Sequence, residues 1–499
     1  MKLKVQSSKF KESSKTQIPR SKFRARAVIG AWSLVLILGF GLCSLGFAAA
    51  PRVFRAGAAT SNVTPPLGSS INGGFQDGKA THIHDELHAR CLALDDGTTK
   101  LVLVVVDNCV IGRGVFDEAK RQMHEATGLP MENMTMSATH SHSCGTLQAV
   151  GQSEPDPAYQ KFVAQRIADG VRRALNNLAP ARIGWGYGEV PQHVFNRRWK
   201  LKPGTIPPNP FGGTNDAVRT NPGVNNTNLV EPAGPTDPQV WFISVQSTNG
   251  RPIALYAAYS LHYVGGVGAG HISADYFGVF ADRIQELLGA DRQDPPFVGM
   301  MANGTSGDIN NINFRGGQPK QPPYGQIRLV ANDVAQEVAR VVKSLPHHDW
   351  VPLGVAQREI TLGLRLPTAA EVEKAREVMN RSKVFPRMAT QEEVYARETV
   401  LLKDFPAQVS APLQVLKVGG LRLAAIPAET FVEVGLELKR KHPMSFSISL
   451  ANAYHGYLPT PEQHKLGGYE TFRARSSCLE VDASTKMLAG FDELFERLK

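Results

Sequence analysis

Two histidines one residue apart, His140 and His142, sit inside MTMSATHSHSCG (134–145), where a short run of small and apolar residues passes directly into them. In an extended strand, side chains two apart project to one face. Two imidazoles at a strand end, followed by the loop 143–146, suit a cleft in which one ligates zinc and the other moves a proton. Taken alone, the pair reads rather as two surface histidines, so any further meaning rests on partners elsewhere in the chain. A second pair, His82 and His84, lies in a polar, turn-like stretch with no strand leading into it and reads as structural.

Three later segments offer partners. His262 follows an apolar run in LYAAYSLHYVGG, and Glu429 lies in AAIPAETF at a predicted strand-to-helix turn, where a carboxylate also suits the helix dipole. Tyr457 and Tyr469 belong to NAYHGYLPTPEQHKLGGYE. Singly, these read as a core histidine, a residue of a helix first turn and two tyrosines packed in a loop.

The elements that must position them alternate. The Gly/Ser/Pro-rich stretch 57–75 leads in, and strands are predicted over 88–94, 101–106, 134–139, 240–245, 253–259 and 297–302. Helices are predicted over 116–127 (stopped by Gly128), 158–178, 277–288, 327–345, 369–379, 392–402 and, closing the chain, 430–441. A hairpin over 413–418 and 421–426 turns at Gly419-Gly420, and 200–238, rich in Pro, Gly and Asn, reads as a long surface loop. This order predicts an α/β fold, a single large catalytic domain over 51–499 with helices packed on a mixed sheet. No internal repeat is present.

The formal charge of +10 is concentrated at the start: residues 1–26 hold nine Lys/Arg against the single Glu12, or +8, which leaves +2 for the remainder. A nucleic-acid partner is therefore not expected. Residues 27–50 carry no charge, are long enough to span a bilayer and end in Ala48-Ala49-Ala50, as a signal cleavage site does. Residues 1–50 are thus expected to be a basic cytoplasmic tail with a signal peptide or membrane anchor. The body is expected to be exported, periplasmic or secreted, or anchored with 27–50 associated with the membrane. Cys91, Cys109, Cys144 and Cys478 follow Cys43 without zinc-site spacing and are expected to be buried thiols, with Cys144 beside the histidine pair.

The ordered series SNVTPPLG, HDELHARCLALDDG, ATHSHS, NRRW, PAGPTDPQV, SADYFG, NGTSGDIN, IPAETF and the tyrosine segment resembles the neutral, non-lysosomal ceramidases and their bacterial relatives from about residue 57 to about residue 470. The resemblance implies a Zn²⁺ cofactor held by His140, His262, Glu429 and Tyr457. Tyr457 is chosen over Tyr454 because the family places a substrate-facing tyrosine twelve positions after the ligand, which lands on Tyr469. His142, Arg197 of NRRW and Tyr469 then match catalytic residues around the scissile amide, and Asn310 a substrate-binding position where the family's ceramidases carry serine. The chain ending at Lys499 is expected to lack the family's C-terminal immunoglobulin-like domain.

What the resemblance implies is a zinc-dependent amidohydrolase. It would cleave the amide of a small-molecule or lipid N-acyl substrate, ceramide-like sphingolipids included, by a zinc-activated water. In that scheme His142 shuttles a proton to the leaving amine, and Arg197 and Tyr469 donate to the developing oxyanion. Alternatives are a zinc hydrolase of another small amide or ester, and a non-catalytic exported metal-binding protein.

Overall fold

The run 101–106 is the centre of the architecture. In it Leu101, Leu103 and Val105 pack to one side of a sheet and Val102, Val104 and Val106 to the other, all buried. That period of two with both faces apolar calls for a covering layer on each side. The computed structural model describes Arg52–Lys499 and supplies those layers; residues 1–51, with the expected export segment, lie outside the described residues. Among the described residues no helix is long and apolar enough to cross a membrane.

The main sheet has eight strands: β1 (Arg55–Asn62), β2 (His88–Asp95), β3 (Lys100–Val106), β4 (Met134–Ala138), β5 (Ala179–Glu189), β6 (Gln239–Ser247), β7 (Pro252–Tyr259) and β8 (Val298–Asn303). Their order is β8-β7-β6-β5-β1-β2-β3-β4. The outermost pairs, β3/β4 and β7/β8, are parallel, and the pairs between them antiparallel. A parallel pair needs a crossover, which α1 (Arg113–Thr127) and α3 (Asp275–Leu287) supply. Together with α2 (Pro157–Asn176) and α4 (Gly325–Val342) these helices cover one face. Gly128, at φ 71, ends α1 as its C-cap.

A second sheet of β9 (Leu353–Gly363), β10 (Gln408–Val418), β11 (Leu421–Ala425) and β12 (Ser445–Ile448) packs on the other face. Between β9 and β10 the chain makes a helical hairpin, α5 (Ala369–Asn380) and α6 (Gln391–Leu402). Helices α7 (Val432–Lys441) and α8 (Ala483–Arg497) close the outer side of the second sheet, giving helix, sheet, sheet, helix. The mixed α/β fold with helices on the sheet is the expected class.

Four stretches differ from expectation. Residues 55–62, which overlap the Gly/Ser/Pro-rich lead-in, and 179–189, where no element is expected, are strands; small residues let a helix pack closely on each, α2 on β1 and α4 on β5. The span 200–238 is mostly loop and turn, as expected, but three short stretches pin it into a small sheet of Arg198–Leu201, Val218–Thr220 and Leu229–Pro232. The chain closes with α8 rather than with 430–441. The four remaining cysteines are buried free thiols, as expected.

Candidate metal centre and active site

The site forms where the parallel strands end. The two edge strands of the main sheet meet there, the Asn303 amide donating to the Thr139 carbonyl (3.0 Å) just beyond β4. Strand β4 stops at Ala138, and His140 then takes a left-handed backbone (φ 80), a conformation that non-glycine residues hold only under tertiary constraint. The pair therefore converges through a turn and not by strand alternation: His142 Nε2 lies 3.2 Å from His140 Nε2.

His262 arrives from the end of β7, and its Nε2 lies 3.0 Å from that of His140. Glu429 and Tyr457 come from the second layer, as register partners in the parallel ladder of Glu429–Thr430 with Tyr457–Leu458. Glu429 Oε1 lies 3.2 Å from His140 Nε2 and 3.6 Å from His262 Nε2. The Tyr457 hydroxyl meets Arg197 Nη2 at 3.0 Å.

These atoms fit a cation. His140 Nδ1 is 2.8 Å from the Cys109 carbonyl and His262 Nδ1 is 3.0 Å from that of Ser306, so both Nδ1 atoms donate and both Nε2 atoms present lone pairs inward. Glu429 Oε1 is buried with no donor, an arrangement that costs free energy unless positive charge joins it. Edges of 3.0, 3.2 and 3.6 Å match the ~3.3 Å edge of a tetrahedron built on zinc bonds of about 2.0–2.1 Å. The same demand acts on protons: burial opposes it, but the Glu429 charge pushes the His140 imidazole well above its usual range. Cys109, His140 and His142 also cluster, with Cys109 Sγ 3.9 Å from His140 Nδ1, the atom that the Cys109 carbonyl already holds.

His142 differs from the buried pair. Its ring stacks on Tyr263 (3.7 Å between centroids, 16°) and lines a cavity of about 110 Å³ that Phe75, Val110, Tyr395, Tyr454, Tyr457 and Tyr469 also line. Gly73 covers the ring so closely that a Cβ there would lie 2.5 Å from His142 Cγ. Loss of solvent, then the nearby His140 and Arg197 charges, push His142 well below the usual imidazole range, which keeps it neutral near pH 7.

Arg197 is held on three sides. Its Nε donates to Glu470 (2.9 Å), Nη2 to the Gly307 carbonyl (2.7 Å) and to Tyr457, and Nη1 lies 3.2 Å from His262 Nε2. It sits against two of the candidate ligands, a positioning role. Sequence reasoning missed its support: Arg198 Nη1 holds the other oxygen of Glu470 (2.7 Å), Thr220 donates to the same oxygen (2.6 Å), and Arg198 and Glu470 are wholly buried. Burial works against the Glu470 charge, but Arg198 and Arg197 hold its carboxyl below the usual range. The adjacent arginines of NRRW were the available signal.

Tyr469 reaches the cavity and packs edge-on to Tyr457 (5.7 Å). Asn310 does not join them. Its amide donates to Asn221 Oδ1 (2.8 Å), its Oδ1 accepts from Ile312 N (2.9 Å), and it is not among the residues lining the cavity. The pair His82 and His84 stands apart, with His82 beside His271 and His84 stacked on Tyr324.

No family model matches the sequence. Solved structures do. The neutral ceramidase of Pseudomonas aeruginosa superposes with a TM-score of 0.66 at 18% identity, over 89% of this chain and 74% of that one. The fold is that of the neutral ceramidases. A ceramidase complexed with C2 matches likewise, with a TM-score of 0.65 at 17% identity over 89% and 75% of the two chains.

Proposed function

We propose that the protein is a zinc-dependent amidohydrolase that cleaves the linear C–N bond of an N-acyl compound, a ceramide-like lipid included. One observation carries this reading: two buried imidazole Nε2 atoms 3.0 Å apart with a donorless Glu429 Oε1 beside them. The ceramidase fold supports the bond class. His140, His262, Glu429 and Tyr457 would hold the metal. Zinc bound there supplies Lewis acidity to a carbonyl oxygen and lowers the pKa of a water.

The chain's own groups do the rest. His142, neutral and facing the cavity, accepts the proton that the attacking water loses as the C–O bond forms. It returns that proton to the amide nitrogen as the C–N bond breaks, so that acid and amine leave in balance. The Tyr469 hydroxyl is the donor positioned to reach the carbonyl oxygen. Arg197, anchored on Glu470 and the Gly307 carbonyl, holds Tyr457 in place and abuts His262.

A second reading, hydrolysis of a smaller amide or ester, is favoured by the cavity, since about 110 Å³ is below the ~300–1,000 Å³ usual for larger ligands. The test measures zinc per chain and turnover on N-acyl amides of graded length, with and without chelator. His140→Ala, His262→Ala and Glu429→Ala should lose metal and activity together. His142→Ala should keep zinc while its rate falls by about 10²–10⁴-fold. Zinc retained in His140→Ala but lost in His142→Ala would reverse the assignment, and full activity in the chelated protein would remove it.

A further inference from the structure

The hairpin of α5 and α6 ends in a tip that its own packing does not explain. The helices close on each other through Ala375, Val378 and Ala396, and a capping box of Thr390 with Glu393 fixes where the chain re-enters α6. Between them Val384 is 49% and Phe385 65% exposed, and Phe385 is the most exposed large apolar side chain among the described residues. Leaving an aromatic ring in water at a loop tip gains nothing for folding. Arg381, Lys383 and Arg387 surround the pair, all exposed, and no acidic residue occurs between Glu377 and Glu392.

The tip is held beside the cavity. Met388, at its base, is buried: its N–H donates to Gln152 Oε1 (2.8 Å), and its carbonyl accepts from Gln152 and Gln76 (2.8 Å each). Gly151 and Phe75, their chain neighbours, line the cavity, as do Val394, Tyr395 and Glu398 of α6.

We propose that the Val384-Phe385 tip, with Arg381, Lys383 and Arg387, docks on an anionic lipid bilayer and presents the cavity to that surface. A convex apolar tip inserts among acyl chains where a flat or concave patch does not, and its uninterrupted positive charge matches an anionic leaflet. Burying Val and Phe and placing cations near the headgroups act together, as two-part membrane anchors do. The inference stands whether or not the amidase reading holds, because binding is read without substrate.

The experiment uses the full chain, so that any contribution of residues 27–50 is common to every variant, and phosphatidylcholine vesicles with and without phosphatidylserine. Phe385→Trp is the local reporter, read against the five native tryptophans of the unsubstituted protein. Its emission should shift to the blue and be quenched by brominated acyl chains in phosphatidylserine vesicles, and much less in phosphatidylcholine alone. Val384→Ser with Phe385→Ser should weaken binding roughly 10–100-fold, and each of Arg381→Glu, Lys383→Glu and Arg387→Glu about 5-fold or more. Reporter emission that vesicles leave unchanged overturns the proposal, as does a serine double variant that binds like the unsubstituted chain. Unfolding curves of the variants, expected to overlay, separate lost docking from lost fold.

Discussion

Glu429 and Tyr457 face each other across a parallel ladder only two residues long, and the Glu429 N–H donates to the Gly456 carbonyl at 2.9 Å. Two of the four candidate ligands are thus set by a single backbone register, independent of the strands that deliver the histidines. Register partners in neighbouring strands stand about 4.8 Å apart, so a carboxylate and a phenol can converge on one point without long-range adjustment.

That register hinges on Gly456, whose φ is 81 and where a Cβ would lie 2.5 Å from the Ser476 carbonyl. Gly456→Ala should strain the backbone by about 1–3 kcal/mol and move Tyr457. The expected result is a protein that folds with a lowered melting temperature and binds zinc at least tenfold more weakly in competition with a chelator. Unchanged zinc affinity would mean that Tyr457 lies outside the metal's shell.

Gly73 lets metal binding be separated from proton transfer. A methyl group there meets the His142 ring at 2.5–2.7 Å, while His140, His262 and Glu429 lie beyond it. Gly73→Ala should leave zinc per chain unchanged and lower turnover by at least tenfold through displacement of His142. Parallel loss of zinc would place His142 among the ligands.

Glu470→Gln removes the charge shared by Arg197 and Arg198 in a fully buried site. Uncompensated buried guanidinium charge should cost roughly 3–5 kcal/mol in urea unfolding. The sign with pH follows from the lowered carboxyl. Its stabilisation is complete above the ordinary glutamate value near 4.3 and is lost as pH falls through the folded value. The gap between the unsubstituted protein and Glu470→Gln should therefore narrow in acid; a gap constant with pH would show that packing, not charge, holds the pair.

Lys120, on α1, is buried with its ammonium on Asn452 Oδ1 (2.8 Å), and burial pushes its pKa down to about 8. The unfolded chain binds that proton more tightly, so stability rises with pH as Lys120 becomes neutral in the fold. Lys120→Met leaves Asn452 Oδ1 its second donor, Met136 N (3.2 Å). The variant should be the more stable at pH 7, by up to roughly 3 kcal/mol, with the advantage fading between about pH 8 and 10. Parallel stability curves would show a lysine that stays charged.

The chemistry was more legible than the scaffold. Paired imidazoles, a carboxylate at a turn and the tyrosines gained their meaning from the ordered series of family-like motifs, and largely apolar runs, buried along nearly their whole length, made β2, β3, β6 and β7 readable. Strands β1 and β5 were hidden because the small residues that let helices pack closely carry the composition of loops. Expected strand alternation at 140 and 142 led to a correct pairing by the wrong route, since a left-handed His140 does the turning. The Arg197–Glu470–Arg198 support was only half visible: NRRW marks the two arginines, but attraction between side chains far apart in sequence leaves no periodic trace of Glu470.

Four candidate ligands drawn from four separated segments would also set an order of events in biosynthesis. His140 leaves the ribosome well before His262, and both long before Glu429 and Tyr457. A nascent chain that holds only the two imidazoles offers a nitrogen-rich, open site of the kind copper takes most readily. The mixed nitrogen and oxygen set exists only after the second sheet has docked on the first. If the cluster holds a metal, its choice would therefore fall late in folding, when the closed geometry, rather than whichever ion the chain meets first, decides what is kept.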